Sequence, residues 1–186
     1  MGKIFCLETE WKQNIHDLKV KSSILPLLEF LKISRGVDFT FRHVATMNDF
    51  TYYVKHLYYD TYNPYDIIYL CFHGIPSKIG LANGETLDLI DFAEKNKGIF
   101  KGKNVHFGSC STLSMSEEDI KYFKRETGAR MVTGYQTCVE FVTSFIFELW
   151  LLNEIIDHPD YAQKRLLNLV EKRMPYWGDT FEFIAY

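Results

Sequence analysis

The sequence predicts an α/β fold, a three-layer α/β/α sandwich built on a mostly parallel sheet. Short apolar runs alternate with helical patterns along the chain, as expected when a parallel sheet is covered by helices on both faces. No internal repeat or linker interrupts that alternation. The 186 residues fit one domain, because single cores stop growing only beyond about 250 residues.

Composition narrows the function classes. Hydrophobic residues make up 47% and charged ones 24%, ordinary for a soluble globular protein. Fifteen Phe and twelve Tyr predict a core that relies on rings. A formal charge of -3 gives no reason to expect nucleic acid or an acidic membrane as a partner. Lys121, Lys124 and Arg125, like Lys164 and Arg165, read as solvated helix faces. The opening apolar run, Ile4 to Leu7, is too short for a signal peptide and meets Glu8 and Glu10. Cys6 stands where a myristoylation signal at Gly2 wants Ser or Thr. The longest apolar run, Phe145 to Leu152, contains Glu148 and is far short of the roughly 20 residues a span needs. A cytoplasmic protein is expected. Four cysteines without paired short spacing suit reduced thiols better than a disulfide framework or a metal site.

The elements follow in order. Lys3 to Leu7 reads as a first strand. Ser22 and Ser23 can cap a helix to about Ile33, with Pro26 tolerated in its first turn and Arg35-Gly36 stopping it. Val37 to Val44 alternates apolar and polar residues as a strand with one wetter face. Thr46 or Asn48 caps a second helix through about Tyr58. Asn63-Pro64 makes a turn, and an apolar strand follows from Asp66. Gly74 to Gly84 is loop-like, with Asn83-Gly84 as a hairpin signal between Ile79-Gly80-Leu81 and Thr86-Leu87. A helix covers Asp88 to Asn96 and ends near Gly98, and a second apolar strand follows Lys101. Ser116 opens an acid-led helix ending at Gly128, and Ala129 to Tyr135 is another strand. Glu140 to Ile156, apolar around most of its circumference, is a buried helix. Asp160 to Lys172 is amphipathic, and Thr180 to Tyr186 alternates as a last, edge strand.

The chemistry is expected between Asp66 and Thr112. The run DIIYLCFHG ends in His73-Gly74, and KNVHFGSCST ends around Cys110. Ligands of open parallel sheets bind beyond the carboxyl ends of strands, where both residues fall. A free thiol has a pKa of about 8.5, leaving a few per cent thiolate near neutrality, so it needs a partner. An imidazole can take that proton and later protonate a leaving amine. Backbone N–H groups of Gly74 and Cys110 are the natural oxyanion-hole donors, and Gly74, lacking a Cβ, lets a substrate carbonyl approach. Cys6 and Cys71 read as core, Cys138 as packing near a helix start, and His106 as a satisfied core histidine. His16, His43, His56 and His158 show no metal-ligand pattern. Ser111 to Glu118 lacks the Arg a Cys-based phosphatase needs. The G-x-S-x-G elbow fold places its His after the nucleophile, whereas His73 precedes Cys110.

That order, with an apolar strand before each reactive residue, resembles the caspase-like cysteine peptidases, and within them the CHAT domain branch. The matching text is YLCFHG (Tyr69–Gly74), IGLANGETLDLIDF (Ile79–Phe92), NVHFGSCST (Asn104–Thr112), TGARMVTGY (Thr127–Tyr135) and FVTSFIFELWLL (Phe141–Leu152). It covers about Asp66 to Asn153. The resemblance implies a cysteine endopeptidase with His73 as catalytic histidine, Cys110 as nucleophile, and no cofactor or metal. It also implies a pocket from Tyr135 to Val142, with Tyr135, Gln136 and Glu140 as substrate-binding positions. Glu140 selects a basic side chain if it points inward; its place at a helix start favours a first-turn acid instead. The chain departs from the branch where a Trp often stands near Tyr135 and an acid often follows the Cys, here Ser111. CHAT relatives often carry sensor repeats or partner domains, and none is read here. Besides the protein or peptide substrate, an activating partner or a homodimer joined through the unpaired Thr180–Tyr186 edge is therefore expected. The resemblance also points towards bacterial regulated proteolysis or defence. The rival expectation is a non-catalytic caspase-like module that binds or scaffolds a partner through the same crevice.

Overall fold

The computed structural model describes residues 2–11 and 22–186; His16 lies outside them. Elements run β1 (Lys3–Glu8), α1 (Leu25–Arg35), β2 (Phe39–His43), α2 (Met47–Lys55), β3 (Tyr65–Cys71), β4 (His73–Ile75), β5 (Lys78–Gly80), β6 (Thr86–Asp88), α3 (Leu89–Lys95), β7 (Asn104–Phe107), α4 (Glu117–Thr127), β8 (Met131–Tyr135), α5 (Phe141–Asp157), α6 (Gln163–Arg173), α7 (Pro175–Thr180) and β9 (Phe183–Ala185). The main sheet has the order β2-β1-β3-β7-β8-β9. Its strands are parallel except β9, which pairs antiparallel with β8.

Period-two alternation divides the core into two layers. From β3, Ile68 and Leu70 join Phe50, Phe92 and Phe123, so α2, α3 and α4 cover that face. Ile67, Tyr69 and Cys71 point the other way, to Leu28, Leu151 and Leu166 of α1, α5 and α6. The result is the expected three-layer α/β/α sandwich. Its ring-rich packing includes Phe50 edge-on to Phe72 at 5.6 Å and Phe147 edge-on to Phe183 at 5.1 Å, geometries that suit the aromatic quadrupole.

Several expectations shift in ways with clear causes. Ser23 Oγ accepts from the Leu25 N–H at 3.1 Å but donates its own proton to Glu8 at 2.6 Å, tying α1 to the end of β1. Thr46, not Asn48, caps α2 through a reciprocal box with Asp49; the helix then tightens into a 3₁₀ turn over His56–Tyr58. The stretch after Gly74 is more than a loop. Its hairpin forms with Gly84 at φ +86°, and β4 adds to it, giving an antiparallel β4-β5-β6 sheet. α7 was not expected: Pro175 suits the first position of a helix, and the expected 180–186 strand shrinks to β9. β9 is the last strand of the sheet, paired with β8 on one side and with Phe183 and Ala185 buried, the edge position that the alternation predicts.

Candidate active site

Register brings the two reactive residues together. Leu70 of β3 lies beside Phe107 of β7 in the parallel ladder, and His73 and Cys110 each follow that pair by three residues. Alternation carried past the strand ends sets both on the α1 and α5 face. There they line one cavity of about 540 Å³. Trp11, Ile24, Val139 and Phe141 give it apolar walls, and Tyr69, Gly108 and Glu148 also line it.

Close backbone packing holds the two strand ends. A Cβ built at Gly74 would lie 1.7 Å from the Cys110 carbonyl oxygen and 2.6 Å from Thr112 Oγ1. Glycine is therefore required here for the approach of Cys110's own backbone, a different reason from substrate access. The Ser77 N–H donates to the Thr112 carbonyl at 3.2 Å, and Thr112 Oγ1 donates to the Lys78 carbonyl at 3.3 Å, fastening the small sheet to the Cys110 turn. Ser111, next to the thiol, sits at φ +52°, a left-handed conformation rare for a side chain of this kind and one that clusters at functional sites.

His73 is exposed at the cavity mouth. Its Nε2 stands 3.1 Å from the Glu10 carbonyl oxygen, and its ring packs edge-on to Trp11 at 5.6 Å. Trp11 is itself held by donating Nε1–H to Glu8 at 2.9 Å. That carboxylate is buried and also accepts from the Ile24 N–H at 2.7 Å. No sequence pattern pointed to Glu8 or Trp11; only the fold brings β1's end against His73. The Cys110 thiol is half-buried and engages the Val139 backbone, accepting from its N–H at 3.4 Å and reaching its carbonyl at 3.5 Å. Burial pushes the Cys110 thiol above its ordinary pKa, with the Val139 N–H acting against that rise.

The other expected residues divide. Glu140 lies at the cavity, but its carboxylate is committed as the N-cap of α5, accepting from the N–H groups of Val142 at 3.0 Å and Thr143 at 2.8 Å. It is the helix acid rather than a selector. Tyr135 is fully buried, donating its hydroxyl to Glu148 at 3.0 Å, and Gln136 is half-buried with its N–H on the Glu182 carbonyl at 3.3 Å. Neither lines the cavity. Tyr135 faces inward because alternation on β8 points it at α5, where Phe147 packs on its ring. Cys138 is exposed and lines the same cavity rather than being packed. His106 is buried as expected, yet only Nδ1 is hydrogen-bonded, to Thr133 Oγ1 at 3.0 Å; Nε2 makes no hydrogen bond and stands 3.5 Å from Glu148 Oε1. Burial holds the Cys71 thiol well above its ordinary pKa, which leaves it inert. Among the described residues, no cluster of three or more His, Cys, Asp or Glu is placed to hold a metal ion, and no helix is long and apolar enough to cross a membrane.

Residues 2–173 match the sequence model of a family of unknown function, DUF6642. The chain belongs to this family. A search of curated proteins finds no match. Among solved structures, the DUF6642 chain is similar to caspase-1 from Spodoptera frugiperda. The TM-score is 0.56 at 14% identity, over 92% of this chain and 75% of that one. At that identity the likeness is one of fold: the sandwich is caspase-like.

Proposed function

We propose that this DUF6642 chain is a cysteine endopeptidase acting through a Cys110/His73 dyad. One observation carries the reading: the only half-buried thiol among the described cysteines shares a cavity with an imidazole that stands two residues beyond the end of the neighbouring parallel strand, β3. In this mechanism Cys110 Sγ attacks the peptide carbonyl while His73 takes the thiol proton. Backbone N–H groups of Gly74 and Cys110 receive the oxyanion, a type of contact worth about 10²–10³ in rate. His73 then protonates the leaving amine, and water, deprotonated by His73, hydrolyses the thioester. The Glu10 carbonyl would orient the imidazole by accepting its Nε2–H, leaving Nδ1 to serve the thiol. The caspase-like fold supports this class of reaction, and the spacing of YLCFHG and NVHFGSCST supports the CHAT branch.

One observation favours the rival, a partner-binding module without turnover. Cys110 is bonded to Val139 and His73 to the Glu10 carbonyl. We reconcile the two by taking this as the resting arrangement, in which an activating partner or a second copy shifts the 138–140 segment and frees the thiol. Digestion of a peptide library, alone and with candidate partners, tests the choice. Cleavage by the wild-type chain and none by Cys110→Ala is expected; no Cys110-dependent cleavage under any condition favours the binding module.

A further inference from the structure

Glu148 is a buried acid for which the proposed mechanism has no use. It is 3% exposed, comes from α5, and lines the same cavity as Cys110 and His73. Its carboxylate accepts the hydroxyls of Tyr69 and Tyr135, and burial together with that acid holds both phenols well above their ordinary pKa, fixing them as donors. Among the described residues no Lys or Arg pairs with it. The nearest basic nitrogen, His106 Nε2 at 3.5 Å, makes no hydrogen bond and does not line the cavity. A carboxylate carries about four acceptor sites, so two hydroxyl donors leave capacity for a cation.

Its position relative to the thiol sets the range. A Cβ built at Gly108 would lie 3.0 Å from Glu148 Oε1 and 2.8 Å from the Tyr69 ring, so the carboxylate rests against backbone two residues before Cys110. Two residues span at most about 7 Å, the reach of one long side chain. Ile24, Val139 and Phe141 offer that side chain apolar walls, which suit a methylene stem leading to a charged head.

We propose that Glu148 is the specificity-determining acid of this site, receiving the Lys or Arg side chain of the residue whose carbonyl Cys110 attacks. The assignment rests on the peptidase reading for the identity of the ligand. Glu140, the other acid at the cavity, is spent as a helix cap.

The test uses peptidyl acyloxymethyl ketones that differ only in the terminal residue: Arg, Lys, Leu or Asp. The thiolate displaces the carboxylate leaving group to form a thioether, located by peptide mapping. In the wild-type chain the Arg and Lys probes are expected to label Cys110 about tenfold or more faster than the others. In Glu148→Gln the ratio of the Arg and Lys rates to the Leu rate should fall to about one, and Glu140→Gln should retain the wild-type ratio. Equal rates for all four probes, or a preference for Leu or Asp, overturns the assignment and leaves the peptidase reading standing. Loss of the preference in Glu140→Gln moves the role to that residue and overturns it equally. No probe labelling Cys110 faster than exposed Cys138 would instead count against the peptidase reading. A second arm needs neither turnover nor a variant. Agmatine should slow iodoacetamide alkylation of wild-type Cys110, whereas uncharged N-butylurea should not; equal protection, or none, overturns the proposal.

Discussion

Cys110 is held as a thiol more than as a preformed thiolate, because burial raises its pKa against the help of the Val139 N–H. A raised pKa means less thiolate at neutral pH. Its alkylation by iodoacetamide should therefore be slower at pH 7 than that of a free cysteine and climb with pH through an inflection above about 8.5. An inflection below pH 7 would mean a standing thiolate–imidazolium pair and a different resting arrangement. Gly74 gives a second residue-scale prediction. Gly74→Ala places a methyl 1.7 Å from the Cys110 carbonyl oxygen, so the strand ends must part. Overpacking of this kind costs about 3 kcal/mol, to be read from the denaturation midpoint; an unchanged midpoint would show that this approach is not fixed. The sequence named Gly74 for a different reason, since no pattern reveals that a backbone lies against it. Nor does the sequence mark Glu148 as a site acid. The place of Glu140 at a helix start already favours it as the helix acid, but only the fold shows that Glu148, two turns on, faces the cavity.

At the level of elements, legibility followed local physics. The α1 and α4 stops at Gly36 and Gly128 take left-handed φ values of +68° and +75°, as glycine at a helix end allows. Ser116 caps α4 by accepting from the Asp119 N–H at 3.1 Å. The choice between Thr46 and Asn48 was open because both are good caps; the reciprocal contact with Asp49 decides it. Thr46→Ala should cost about 1 kcal/mol, measured by chemical denaturation, and Asn48→Ala much less; the reverse order would contradict the box. β4 escaped notice because three residues give no periodicity, and its pairing with β5 is set by tertiary placement. Alternation along β8 sends the Tyr135 ring to the cavity's own face of the sheet, but Phe147, Phe181 and Phe183 enclose it there, a tertiary packing that family position does not reveal.

Across the whole molecule, the parallel order β2-β1-β3-β7-β8 makes one crevice from residues distant in the chain. His73 and Cys110 could be paired in the sequence because each ends an apolar run and one crossover separates them. Glu8 and Trp11 could not, since β1 reaches the site only through its place beside β3. α7 was also illegible; the 180–186 alternation predicts the last strand but starts it too early, because α7 takes Thr180. The central claim is that Cys110 forms a covalent acyl intermediate with help from His73. Acid-quenched reaction with an activated peptide ester, followed by peptide mapping, measures this directly. A thioester on Cys110 is predicted in the wild-type chain, absent in Cys110→Ala and formed at least about a hundredfold more slowly in His73→Ala. Acyl transfer to Cys138 instead, or an equal rate without His73, would contradict it.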